Sequence, residues 1–150
     1  MDDCIEMRLN INDLKILPSE RIQNLTEEYY DDFFNFHDRH HNPKMYWTSE
    51  RIVKKIDLWQ IHIVIIERRI EGYVLSNIKM RDPNQAEIFC VETNDLICSR
   101  ELFSISSKES FERGKTEILY MSDKNTIHKT AALETGFKVT GFYQGFEVLL

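Results

Sequence analysis

The chain has 150 residues and is 42% hydrophobic, with 2 Trp, 6 Tyr and 9 Phe. That is the length of one domain and enough apolar content for a packed core, which excludes a disordered segment. The formal net charge is −6, and the basic residues are scattered apart from pairs such as Lys54-Lys55 and Arg68-Arg69, which excludes a nucleic-acid footprint. No apolar run reaches the roughly 18 residues of a membrane span, and Asp2 and Asp3 make the N-terminus acidic, so neither a membrane segment nor a secretory signal is expected. Cys4, Cys90 and Cys98 have no paired spacing and fit reduced thiols in a cytoplasmic protein.

Residues Glu6 to Asn10 form a first strand, with Met7 and Leu9 alternating. From Pro18-Ser19 the apolar residues Ile22, Leu25, Tyr29, Phe33 and Phe36 recur every three or four positions, which predicts one helix with a core-facing stripe. Asn42-Pro43 ends it. Thr48 or Ser49 then caps a short helix running to about Ile56. The period changes at Ile61 to Glu67 and Ile70 to Met80, a predicted hairpin turning at Arg68-Arg69.

Asp82-Pro83-Asn84 marks a turn, and Ala86 to Val91 is a strand with both faces nearly all apolar. A helix is expected from Asp95 to Arg113, stopped by Gly114. Glu117 to Met121 is a buried strand, and Asn125 or Thr126 caps a helix that Gly136 terminates. Phe137 to Leu150 gives two last strands with a turn near Gly145. The order β-α-α-β-β-β-α-β-α-β-β predicts one α/β domain over 1–150, with a central mixed sheet flanked by helices.

The run Asn125-Thr126-Ile127-His128-Lys129-Thr130-Ala131-Ala132-Leu133-Glu134-Thr135-Gly136-Phe137, followed by Lys138-Val139-Thr140-Gly141-Phe142, resembles the GNAT superfamily of N-acetyltransferases. The hairpin Glu67-Arg68-Arg69-Ile70-Glu71-Gly72-Tyr73 is similar to that family's second and third strands. The resemblance implies acetyl-CoA as co-substrate and a small-molecule or peptide amine as acceptor, and it is compatible with a homodimer. It implies that backbone near Phe89 and Val91 holds the acyl arm. The helix start at Ile97, Cys98 and Ser99 would face the diphosphate, and Asn125 would touch the pantetheine.

Two departures accompany the resemblance. The family's phosphate loop carries glycines, whereas the corresponding Asn94 to Ser99 has none, and Asp95 adds a negative charge where a diphosphate would sit. Ala132 stands where many family members carry a Tyr that protonates the leaving thiolate, and His128 where a small residue is usual. A non-catalytic module of the same fold, with cofactor binding lost, is therefore the alternative.

Glu87 is the candidate general base, as the one carboxylate inside an otherwise apolar strand; Glu92, at the strand's other end, is the second. Both also suit solvated strand ends. His37, His40 and His41 with Asp38 have a metal-like composition but lack a convincing further ligand, so no metal site is expected. Cys98 gains no partner His from its neighbourhood in sequence, and Cys90 reads as a small core residue.

Overall fold

A computed structural model describes residues 4–40, 46–123 and 126–143. The strands are β1 (Cys4–Asn10), β2 (Ile22–Asn24), β3 (Trp59–Ile66), β4 (Arg69–Asn77), β5 (Gln85–Glu92), β6 (Glu117–Asp123) and β7 (Lys138–Tyr143). The helices are α1 (Tyr30–His40), α2 (Ser49–Lys54), α3 (Leu96–Glu112) and α4 (Ile127–Thr135). The described strands form one sheet in the order β2-β3-β4-β5-β6-β1-β7. β5 and β6 run parallel, whereas every other neighbouring pair is antiparallel, so this is the mixed sheet the element order predicts. Among the described residues no helix is long and apolar enough to cross a membrane.

Alternation along the strands sends side chains to two cores. Ile5, Met7, Leu9, Val64, Val74, Ile88 and Val91 meet Leu102 and Phe103 of α3 and Ala131 and Ala132 of α4. The opposite face, with Trp59, Ile61, Ile63, Tyr73 and Leu75, is covered by Phe33 and Phe36 of α1 and Ile52 of α2. Fully burying a large side chain such as Met7, Ile63, Leu75, Leu102 or Phe103 contributes roughly 1.5–3 kcal/mol.

Local signals set most boundaries. Thr48 caps α2 by accepting from the Arg51 N–H, Asp95 caps α3 through Ile97, and Thr126 caps α4 through Lys129. Gly136 ends α4 at φ +117°. An added Cβ there would lie 2.0 Å from the Asp13 carbonyl oxygen, so close chain approach demands glycine as much as the backbone angle does.

Two expectations change. The apolar spacing from Ile22 to Phe36 does not mark one helix: Ile22–Asn24 pairs with β3 at Ile22↔Val64, and α1 begins at Tyr30. A three-residue edge strand is fixed by its distant partner, not by its own period. The hairpin turns at Glu67-Arg68, one residue earlier than expected, with both at positive φ (51° and 67°) as a two-residue turn of this twist requires. The second C-terminal strand expected beyond Gly145 lies outside the described residues.

β1 is placed by contacts that only the folded chain reveals. It lies between β6 and β7, pairing Met7↔Tyr120 on one side and Ile5↔Phe142 on the other.

Candidate active site

The site is built where β5 parts from β6. The parallel ladder runs from Gln85↔Glu117 to Ile88↔Tyr120 and stops there, although β5 continues to Glu92 and β6 to Asp123. Among the described residues the β5–β6 register thus ends four residues before the end of β5. On its other side β5 pairs Leu75↔Cys90 and then Ser76↔Ile88, leaving Phe89 as an extra, bulged residue. Bulges re-aim side chains and interrupt ladders beside functional sites. The Phe89 ring is 37% exposed and packs against Trp59 with centroids 5.6 Å apart.

Glu87 precedes the bulge. It pairs with Asn77, which pairs with Trp59, so the three side chains stand in one row on the α1/α2 face. The carboxylate is half-buried, and burial raises its pKa above the ordinary range. Glu92 lies five residues further along, roughly 15 Å at strand rise, so one small reacting centre cannot use both directly. Burial also raises its pKa, while nearby His40 opposes the shift.

Glu92 borders an open cleft of about 890 Å³ between α1, the β3–β4 turn and the end of β5. Arg39 and Asp38 come from α1, Arg68 and Arg69 from the turn, and Thr93 and Asn94 from the loop after β5.

The histidines divide by burial. His37 is 2% exposed and belongs to the core. Its Nε2 lies 2.9 Å from the Trp47 carbonyl oxygen, which can only accept, so Nε2 carries the proton. Nδ1 then accepts from the Tyr73 hydroxyl at 2.5 Å, and Tyr73 in turn contacts Cys90 Sγ at 3.6 Å. Burial lowers the His37 pKa, raises that of Tyr73 and pushes the Cys90 thiol up to about 12, so the network is neutral. His40 stacks on Phe36 at 4.3 Å and bonds the Phe36 carbonyl. His41 lies outside the described residues, and no group of three metal-ligating side chains occurs among those described.

At the first turn of α3, the Asp95 carboxylate accepts the Ile97 N–H at 3.0 Å, and this bond chiefly holds its pKa below the usual range. Ile97 itself is 53% exposed. Cys98 is buried, and desolvation pushes its thiol up to about 11, so it is no ready nucleophile. Ser99 is fully buried and lies 2.7 Å from His128 Nδ1, tying the first turns of α3 and α4 together. Burial lowers the His128 pKa. The Val91 side chain is buried in the core that packs against α3. Asn125 lies outside the described residues.

Sequence reasoning found Glu87, Glu92 and the capped α3 turn, but it missed the bulge and the aromatic neighbours of Glu87. Phe89 is 30 residues from Trp59 and reaches it through the pairing of β3, β4 and β5, while Trp47 joins by packing on Trp59.

No protein-family model matches the chain by sequence, and no curated protein does. Solved structures match its shape. An acetyltransferase of the GNAT family from Colwellia psychrerythraea superposes with a TM-score of 0.72 at 13% identity, over 93% of this chain and 53% of that one. A GCN5-related N-acetyltransferase from Sphaerobacter thermophilus gives 0.69 at 15% identity, over 94% and 49%. N-myristoyltransferase of Saccharomyces cerevisiae, solved with myristoyl-CoA and inhibitors, gives 0.61 at 12% identity, over 94% and 47%. The chain spans about half the length of these proteins. At such identity the likeness is one of fold: the chain has the GNAT-superfamily fold.

Proposed function

We propose that the protein is an acyl-CoA-dependent N-acyltransferase, with acetyl-CoA as co-substrate and a small-molecule or peptide amine as acceptor. The observation that carries this reading is the gap opened by β5 and β6 beyond Ile88↔Tyr120, with the Phe89 bulge and the half-buried Glu87 beside it. Main chain at Phe89 and Val91, beyond the point where the β5–β6 pairing ends, suits an amide-bearing arm that needs strand-like partners. Structures of the same fold that are acetyltransferases, and one solved with myristoyl-CoA, support acyl-CoA as the donor.

In this reading the neutral amine attacks the thioester carbonyl, the C–N bond forms, the C–S bond breaks and the thiolate leaves. Glu87 takes the amine proton, directly or through one water, and its burial-raised pKa makes it a stronger base than an exposed carboxylate. Ala132, buried in α4, offers no acid for the thiolate, which must then draw its proton from solvent. Asn125 and the first turn of α3 at Ile97, Cys98 and Ser99 would hold the pantetheine and diphosphate.

A second reading, a non-catalytic module of this fold, is favoured by one observation: Asp95 occupies the Ile97 N–H that a diphosphate would use. Replacement Glu87→Gln separates the two. The enzyme reading expects kcat/KM to fall about 10²–10⁴-fold with loss of the acid limb of the pH profile. Unchanged turnover across pH would remove Glu87 from the mechanism.

A further inference from the structure

We propose that the acceptor is a primary amine carrying an apolar, preferably flat body, which docks on the aromatic wall of Trp47, Trp59 and Phe89 with its ammonium at Glu87. The inference deepens the acyltransferase reading and rests on it for the fate of the amine, though not for its binding.

The wall is continuous. Tyr46 meets Trp47 edge to face at 5.0 Å, Trp47 meets Trp59 in the same way at 5.0 Å, and Trp59 meets Phe89 at 5.6 Å. It draws on the segment before α2, the start of β3 and the bulge of β5, so its exposed end lies at the gap between β5 and β6. Trp59 is 6% exposed and anchors the wall, whereas Phe89 at 37% offers a face to a ligand. Strand pairing sets Glu87 in the same row as Trp59, with only Asn77 between them. A carboxylate two strands from Trp59 in the same row, and two residues before Phe89, offers the charge that an organic ammonium satisfies. Ring faces attract the cation within about 6 Å, and the apolar body loses water against them.

Charge narrows the class further. Among the described residues, Lys79 pairs with Asp57 at 3.4 Å and Arg51 lies over the Tyr46 ring at 4.5 Å. An acceptor bearing its own carboxylate would meet the Glu87 carboxylate with like charge. The arginines that could read one, Arg68 and Arg69, belong to the separate cleft around Glu92.

Trp47 and Trp59 are the only two tryptophans in the chain, so selective tryptophan excitation reads this wall alone. The test titrates the whole protein with phenethylamine, spermidine and glutamate, following emission, and titrates acetyl-CoA separately by calorimetry. A saturable change with phenethylamine, at least about tenfold tighter than with spermidine or glutamate, is expected. Phe89→Ala should weaken it about tenfold, while Phe89→Leu, which keeps the apolar bulk, should retain most of the affinity. No saturable response, an equal response to glutamate, or an unchanged affinity in Phe89→Ala would overturn the proposal. Phenethylamine binding without acetyl-CoA binding would sink the acyltransferase reading and leave the amine site standing. Acetyl-CoA binding without an amine response would do the reverse.

Discussion

The Asp95 carboxylate and the Ile97 main-chain N–H are joined by a 3.0 Å hydrogen bond at the first turn of α3. One residue therefore stabilises the helix and opposes an anion at the same place. Replacing Asp95 with Ala separates the two effects. Loss of the cap should cost about 1 kcal/mol in urea unfolding. Removing the charge beside the diphosphate should tighten acetyl-CoA about two- to fivefold by calorimetry. A variant that loses stability and also binds acetyl-CoA more weakly would show that the diphosphate does not sit on this turn.

Gly136 and Gly114 both adopt positive φ, at +117° and +93°, yet their surroundings differ. A Cβ at Gly136 would meet the Asp13 oxygen at 2.0 Å, whereas one at Gly114 would meet nothing within 4 Å. Gly114→Ala should cost about 1 kcal/mol, the backbone penalty alone. Gly136→Ala should cost more than about 3 kcal/mol, because main chain must move as well. Equal losses in urea unfolding would mean that the Asp13 contact yields freely.

Stability should fall as the solution is acidified from pH 7.5 toward 6. Burial lowers the folded pKa of His37 and of His128, so below about 6.5 the unfolded chain binds protons that the native state refuses. Each histidine contributes a slope of at most about 1.4 kcal/mol per pH unit. Glu87 and Glu92 act in the opposite sense, since burial raises their pKa and the native state binds their protons more readily. Their effect sets in above the ordinary carboxylate pKa, as pH falls through the raised folded values, and relatively favours the folded state on acidification. Replacing His128 with Gln should reduce the slope between pH 7.5 and 6 in thermal unfolding, and an unaltered slope would contradict its assignment as a buried neutral ring.

What the sequence disclosed follows from how local each signal is. Thr48, Asp95, Thr126 and Gly136 announced helix ends because a cap involves neighbours within four residues. The hairpin of β3 and β4 was legible for the same reason, and the family-like run into Gly136-Phe137 pointed to the fold. Ile22 was misplaced because apolar spacing continued unbroken from a short strand into a helix. Its true partner, Val64, is forty-two positions away. His37 read as one member of a His and Asp group of metal-like composition, since its partner Tyr73 is 36 residues distant. Glu87 was found as a carboxylate among apolar residues, but its row with Asn77 and Trp59 depends on register across three strands.

Acyl transfer stands or falls on calorimetric titration of the intact protein with acetyl-CoA, with thermal unfolding alongside. Binding at micromolar strength is expected, and at 100 times the dissociation constant a stabilisation of about 2.7 kcal/mol visible as a raised Tm. No heat and no shift in Tm at millimolar acetyl-CoA would contradict acyl transfer at the gap between β5 and β6.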